Sequence, residues 1–132
     1  MIALDSSALL AIVHGEAESE AFARLVSEND CLLGAPTSFE AYIVTRARGD
    51  AGHMADLQRL CGLPNVTTVA FTPAHVEAAR AAFDRFGKGR RHPAQLNYGD
   101  CLAYAIARVA AAPLLFKGED FRHTDIEPAL AP

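Results

Sequence analysis

Four acidic residues stand where a carboxylate is costly unless it does chemistry. Asp5 ends the apolar run Met1-Ile2-Ala3-Leu4. Glu40 lies early in the helical stretch that follows Cys31-Leu32-Leu33-Gly34. Asp100 opens a nearly all-apolar helix, and Asp120 follows Pro113-Leu114-Leu115-Phe116. In an open α/β sheet, strand ends and helix starts meet along one edge, and ligands bind in the crevice there. Carboxylates gathered in one crevice repel one another unless cations hold them. Mg²⁺ and Mn²⁺ prefer oxygen ligands, so the pattern points to a metal-dependent phosphoryl-transfer site.

Each acid has a structural alternative. Asp5 can cap the next helix. Thr37-x-x-Glu40 reads as a capping box, with Thr at the cap and Glu three residues on. Asp100 sits three residues after Asn97 and can serve the same purpose. Its helix, Cys101 to Ala107, is apolar on nearly every face, so a carboxylate at its start is partly desolvated and needs a partner. Asp120 can be an ordinary turn residue, and Glu119 competes with it for the same role.

The elements that must position these acids alternate along the chain. Met1–Leu4 reads as a buried strand, followed by a helix capped by Ser6 or Ser7 and running to Val13. A second helix is expected from Glu16 to Glu28, with Ala17, Ala21, Phe22 and Leu25 on one face. Cys31–Gly34 is the second strand. The next helix starts at Pro36-Thr37 and stops at Gly49. Asp50 caps another, ending at Cys61-Gly62. Asn65–Phe71 is rich in Val and Thr and reads as a strand. Thr72-Pro73 starts a helix that ends at Phe86-Gly87. Lys88 to Pro93 is a basic loop, Asn97 caps the helix through Ala111, and Leu114–Phe116 is a strand. Asp125–Pro128 is expected as a short edge strand. The order βαα-βαα-βα-α-β predicts an α/β fold with a mostly parallel sheet.

The bulk properties agree with this. The chain has 132 residues, enough for one domain with a real core, and we expect residues 1–132 to form it. Hydrophobic residues make up 51% and charged residues 21%, which excludes a disordered chain. The formal net charge of −4 argues against a general nucleic-acid binder but not against a nuclease, whose acids are offset by bound cations. Three cysteines without a CxxC pair support neither a disulfide framework nor a zinc knuckle. Cys31 and Cys101 are expected in the core. His14, His53 and His75 lie on helical segments and read as packing or solvent-facing residues. No targeting or membrane-spanning stretch is visible, so a soluble cytoplasmic protein is expected.

The chain resembles the PIN-domain ribonucleases, and within them the VapC-type toxins of bacterial type II toxin–antitoxin pairs. The resemblance runs through Ile2-Ala3-Leu4-Asp5-Ser6-Ser7-Ala8 and Ala35-Pro36-Thr37-Ser38-Phe39-Glu40. Its most specific parts are Leu96-Asn97-Tyr98-Gly99-Asp100 and Phe116-Lys117-Gly118-Glu119-Asp120-Phe121, followed by Thr124-Asp125. It implies a three-layer α/β/α sandwich around a parallel sheet. Asp5, Glu40 and Asp100 carry over as core metal ligands and Asp120 as the fourth acid, with Ser6 and Thr124 as supporting hydroxyls. It implies a Mg²⁺- or Mn²⁺-dependent endoribonuclease, with one or two ions. A small antitoxin would block it, and a homodimer is expected. Cleavage by metal-activated water would leave a 5′-phosphate and a 3′-hydroxyl. Candidate RNA contacts are Arg46 and Arg48, the loop residues Lys88, Arg90 and Arg91, and Lys117, Arg122 and His123 beside the fourth acid. Tyr98 can stack a base or pack in the core.

Two rival readings come from other classes. A phosphorelay receiver has similar length and a Lys after its last strand, where this chain has Lys117. It needs an acidic pair after the first strand and an Asp after the third, however, and Val69-Ala70-Phe71 ends without one. The other rival is a non-catalytic PIN-like scaffold that binds RNA or protein, against which the full acid set argues.

Overall fold

The apolar run at the N-terminus forms an interior strand of a parallel sheet, paired on both sides, and the rest of the chain is wound around it. In a computed structural model, residues 1–131 are described. Four strands, β1 (Ile2–Leu4), β2 (Cys31–Gly34), β3 (Val66–Val69) and β4 (Leu114–Leu115), pair in the order β3-β2-β1-β4, all parallel. The connecting helices are α1 (Ser6–Val13), α2 (Ser19–Glu28), α3 (Ala35–Arg48), α4 (Ala51–Cys61), α5 (Pro73–Phe86) and α6 (Tyr98–Ala110). The predicted order of elements is therefore the observed one.

Strand alternation divides the core into two layers. Ala3 and Leu114 point to one face, where they pack with Tyr104, Ile106 and Ala107 of α6 and Ala82 and Phe86 of α5. Ile2, Leu4 and Leu115 point to the other face, against Leu9 of α1, Phe22 and Val26 of α2 and Leu57 of α4. This is the three-layer α/β/α sandwich. Close approach of α6 to the sheet depends on Gly34, where a Cβ would meet Ile106 Cγ1 at 2.8 Å.

The winding reverses at β1. The chain steps from β1 to β2 to β3 on one side, then returns to place β4 on the other side of β1. Such a reversal opens a crevice at the carboxyl ends of the strands on either side of it. Asp5 follows β1 directly and Asp120 lies five residues past the end of β4, so both sit at this edge.

Some boundaries differ from expectation, each for a local reason. The second helix begins at Ser19 rather than Glu16 because Gly15 turns the chain at φ +62° and Glu16 N–H still bonds back to Ala11 O. Its inward residues are Phe22 and Val26, whereas Ala17 and Ala21 stay exposed. The expected edge strand Asp125–Pro128 is reduced to a single bridge between Leu114 and Pro128, since proline has no N–H to continue a ladder. A 3₁₀ turn over Asp120–His123, not foreseen, follows β4. Cys31 and Cys101 are buried, and all three cysteines are free thiols. Among the described residues no helix is long and apolar enough to cross a membrane.

Candidate active site

Asp5 leaves the central sheet with extended backbone and caps α1, which fixes its carboxylate at the strand end. Its Oδ2 accepts two hydrogen bonds from Ser7, from the backbone N at 3.1 Å and from Oγ at 2.5 Å. Ser7 Oγ in turn accepts from Lys117 N at 3.0 Å, so the loop after β4 is tied to the end of β1 through one hydroxyl. The hydroxyl on Asp5 is thus Ser7's, where Ser6 was expected. A cap accepts from the second or third residue after it, and Ser7 is two residues on.

The other oxygen of Asp5 is unsatisfied. Asp5 is only 3% exposed, and Oδ1 is buried with no hydrogen-bond partner in the protein. Burial pushes the carboxyl up to about 7. The two bonds from Ser7 hold it back, and the negative charges of Asp100 and Glu40 raise it further. Desolvation of an acid favours its neutral form.

Glu40 does not form the capping box its spacing suggests. α3 begins three residues earlier than the box requires, with Gly34 at its cap and Pro36 in its first turn. Thr37 is buried inside the helix without a partner for its hydroxyl, and Glu40 Oε1 is likewise buried and unpartnered. The capping explanation for Glu40 therefore falls away. Gly99 lies flush against this carboxylate: an added Cβ would stand 2.7 Å from Glu40 Cδ.

Asp100 does both jobs. Asn97 Oδ1 accepts from Asp100 N at 2.9 Å, and Asp100 Oδ2 accepts from Asn97 N at 3.0 Å, a complete capping box. One oxygen is used by the cap and the other remains. Burial raises the Asp100 carboxyl above its ordinary value; the Asn97 bond opposes this, and the charges of Asp120 and Glu40 add to it. We expect Asn97→Ala to lower folding stability by about 1 kcal/mol through loss of the cap. Cleavage should also fall severalfold as Asp100 loosens; urea unfolding read beside a cleavage assay checks both.

Asp120 starts the 3₁₀ turn, and its charge reaches Asp100. Glu119 is turned toward Arg122, 3.7 Å from its guanidinium. That contrast favours Asp120 over Glu119 as the fourth acid. The acids act on one another through charge. Among the described residues, however, no three His, Cys, Asp or Glu side chains already converge in a group that can hold a metal ion.

The expected RNA contacts divide. Arg46, Lys88 and Arg91 are exposed. Arg90 is also exposed but leans on Phe83 and lies 3.5 Å from Asp84. Lys117 differs: its Nζ is bonded to Glu16 at 2.6 Å and paired with Glu18 at 3.1 Å, so its charge is already matched. Arg122 stacks over Phe116 and pairs with Glu119. Thr124 donates its hydroxyl to Phe121 O and accepts from Ile126 N, closing the turn rather than reaching an acid. Tyr98 is 81% exposed beside Asp100, so the core reading of that ring is wrong.

Sequence reading missed three contributors. Ser7 was open to detection from cap spacing. Gly99 carried the signal of a glycine inside a helical pattern. The Lys117 backbone contact to Ser7 spans 110 positions and leaves no local trace.

Residues 2–127 match the PIN domain family. The chain belongs to that family. This PIN domain is 40% identical over 130 residues to ribonuclease VapC30 of Mycobacterium tuberculosis (strain ATCC 25618 / H37Rv), spanning 98% of each chain. It is 40% identical over 124 residues to ribonuclease VapC of Mycolicibacterium smegmatis, spanning 93% of this chain and 95% of the relative. Such relatives place it in the VapC branch of the PIN-domain family. Among solved structures, Mycobacterium tuberculosis VapC20, titled a sarcin-ricin loop cleaving toxin, is similar with a TM-score of 0.74 over 96% of both chains, at 15% identity. A chain of a toxin-antitoxin complex from Klebsiella pneumoniae gives 0.69 over 95% of this PIN domain and 93% of that chain, at 14% identity. Both are distant in sequence and bear on the fold, which they share.

Proposed function

We propose that this PIN domain is a divalent-metal-dependent endoribonuclease toxin held in check by a cognate antitoxin. The observation that carries the reading is a pair of buried carboxylate oxygens, Asp5 Oδ1 and Glu40 Oε1, that meet no donor. A buried acid oxygen without a partner is costly, and a cation between such oxygens removes the cost. The donors are all oxygens, which suits Mg²⁺ or Mn²⁺ rather than a thiolate- or imidazole-seeking metal. The residues present therefore fit the ion that the family resemblance implies.

Asp5, Glu40 and Asp100 would hold one or two ions, with Asp120 as the fourth acid. When bound, the metal supplies Lewis-acid polarisation of the phosphodiester and a lowered pKa for nearby water. The protein's own contribution is orientation. Ser7 pins Asp5 through Oδ2, and Asn97 pins Asp100 through Oδ2, which leaves one oxygen of each free to ligate. Gly99 leaves the space that Glu40's carboxylate fills. Arg46, Lys88, Arg90 and Arg91 bind substrate phosphates and set affinity without reading sequence. Water attack at phosphorus with departure of the 3′ oxygen gives 5′-phosphate and 3′-hydroxyl ends. RNA as the substrate is supported by the relatives named ribonucleases.

The partners follow the same support. Phe39, Tyr42, Ile43, Val76, Phe83 and Tyr98 are large apolar side chains left exposed; Phe39, Ile43 and Tyr98 line a cleft with Glu40, and Val76 and Phe83 line a neighbouring one that shares Tyr98. Such a surface suits a protein partner better than water, in keeping with an antitoxin and a homodimer.

The test is incubation of the purified, antitoxin-free protein with total cellular RNA in Mg²⁺ or in EDTA, with cut sites read by 5′-end sequencing. We expect discrete, metal-dependent cuts bearing 5′-phosphates, absent from Asp100→Asn. Equal cutting in EDTA, or by Asp100→Asn free of wild type, contradicts the reading.

A further inference from the structure

Lys117 ties the loop after β4 to both ends of the α1 region through a single residue. Its backbone N–H donates to Ser7 Oγ at 3.0 Å. Its Nζ donates to Glu16 Oε2 at 2.6 Å and lies 3.1 Å from Glu18 Oε2. Both glutamates stand in the connection between α1 and α2. Backbone bonds hold that connection in place. Glu16 N–H bonds to Ala11 O at 3.0 Å, and Glu16 O accepts from Ser19 N at 2.9 Å. Glu18 O accepts from Phe22 N at 2.9 Å. The acidic seat is thus fixed by its own backbone, and the lysine is the part that reaches it.

Two roles are open to an ammonium here. One is a phosphate contact. The other is a latch that fixes its own backbone. The surrounding charges oppose the first. Two carboxylates face one ammonium, so the seat is net negative and repels phosphate. Glu18 Oε2 is buried and has no hydrogen bond, so the ammonium beside it offsets a charge that is otherwise unpaired. The second role is favoured by what the backbone of Lys117 touches. An amide N–H can only donate. Ser7 Oγ therefore accepts from Lys117 N, and its own O–H is left for Asp5 Oδ2. Beyond Lys117 the chain turns at Gly118, at φ +104°, and Asp120 follows two residues later. The placement of Lys117 thus bears on two of the four acids at once.

We propose that Lys117 is a positioning residue: seated between Glu16 and Glu18, its ammonium holds its own amide on Ser7, which turns the Ser7 hydroxyl onto Asp5 and fixes where the loop to Asp120 begins. The inference rests on the reading of Asp5 and Asp120 as metal ligands. Lys117 reaches Asp5 through Ser7 and Asp120 through the loop, not by direct contact. The latch is a poor stabiliser of the fold, because ion pairs with this much solvent contact contribute little. Its effect falls on the pocket, where carboxylate oxygens must be presented in one geometry. Groups standing behind a metal ligand change affinity or activity by about ten- to a hundredfold, and Lys117 acts one bond further back.

The experiment measures Mn²⁺ affinity of the full chain by electron paramagnetic resonance, and hydrogen exchange of the amide at position 117 by ¹⁵N–¹H spectra in EDTA. Lys117→Met keeps the side-chain stem and removes the charge. Loss of a positive charge near the pocket would by itself tighten a bound cation. Positioning predicts the opposite sign: Mn²⁺ binding weakened about tenfold, with faster amide exchange at position 117. Lys117→Arg should keep both near wild type. Glu16→Gln with Glu18→Gln should weaken Mn²⁺ binding too, and adding Lys117→Met should cause no further loss, since all three act on one latch. Suppose the wild type binds Mn²⁺ and loses it on Asp100→Asn, yet Lys117→Met binds as tightly as wild type or more so. That result overturns the latch and leaves the metal reading standing. A wild type that binds no Mn²⁺ overturns the metal reading, and this inference with it.

Discussion

Asp5→Asn is expected to yield a protein that is more stable and catalytically dead. In the metal-free wild type the carboxyl has an ordinary value of 3.8 and a folded value of about 7. Below the ordinary value both states are protonated and ionisation adds nothing to the cost of burial. As pH rises toward the folded value, the unfolded chain ionises while the folded one keeps its proton, so stability is progressively lost. The loss is complete once pH passes about 7, and it amounts to something on the order of 4 kcal/mol. Asparagine cannot ionise, so that pH dependence should vanish. Its carbonyl can still accept from Ser7, but its NH₂ group enters a buried position. We therefore expect a net gain of about 1–3 kcal/mol near pH 8 and little change near pH 4. Denaturant unfolding at both pH values in EDTA checks the sign. Mg²⁺ should stabilise the wild type and not the variant, because only the wild type offers the full ligand set. Cleavage should be lost. A variant that is destabilised near pH 8, or that still cuts RNA, contradicts the role given to Asp5.

Gly99→Ala is expected to separate activity from stability in another way. Its Cβ would lie 2.7 Å from Glu40 Cδ and 2.9 Å from Oε1, with Oε2 closer still. The obstacle is the far end of a flexible side chain, so the fold survives by moving the carboxylate aside. Alanine is also the better helix former by about 1 kcal/mol, so stability should hold or rise slightly. A ligand displaced by an ångström costs roughly a hundredfold in rate, and that is the loss expected here. Glu40→Gln should lose as much, and combining it with Gly99→Ala should add little, since both act on one group. Cleavage rates with unfolding midpoints for the three variants decide it. Unchanged cleavage by Gly99→Ala would remove Glu40 from the site.

These two residues also show how far the sequence could be read. The strand–helix order was legible because buried parallel strands leave continuous apolar runs and because Gly49, Thr72-Pro73 and Asn97 punctuate the helices. The acids were legible because they follow those runs directly. Their division of labour was not. Asp5 and Asp100 each spend one oxygen on a helix cap and keep the other, so structural and functional readings that look exclusive in sequence coexist on one carboxylate. Glu40 goes the other way: its spacing from Thr37 suggests a cap, but Gly34 starts the helix early and the cap is never made. Lys117 was read as an RNA contact because it is basic and near the fourth acid. Only the fold brings Glu16 and Glu18 to its ammonium. Pairings that span the chain, such as Lys117 with Ser7, have no signature in a single sequence.

The most direct measurement of the central claim needs no knowledge of the RNA. Mn²⁺ is titrated into the purified protein and bound metal is followed by electron paramagnetic resonance, for wild type, Asp5→Asn, Glu40→Gln and Asp100→Asn. Binding by the wild type that is lost or sharply weakened in each variant is the predicted result. A wild type that binds no Mn²⁺ at millimolar concentration, while folded and free of antitoxin, would contradict the account and leave a PIN-domain scaffold that does not cut.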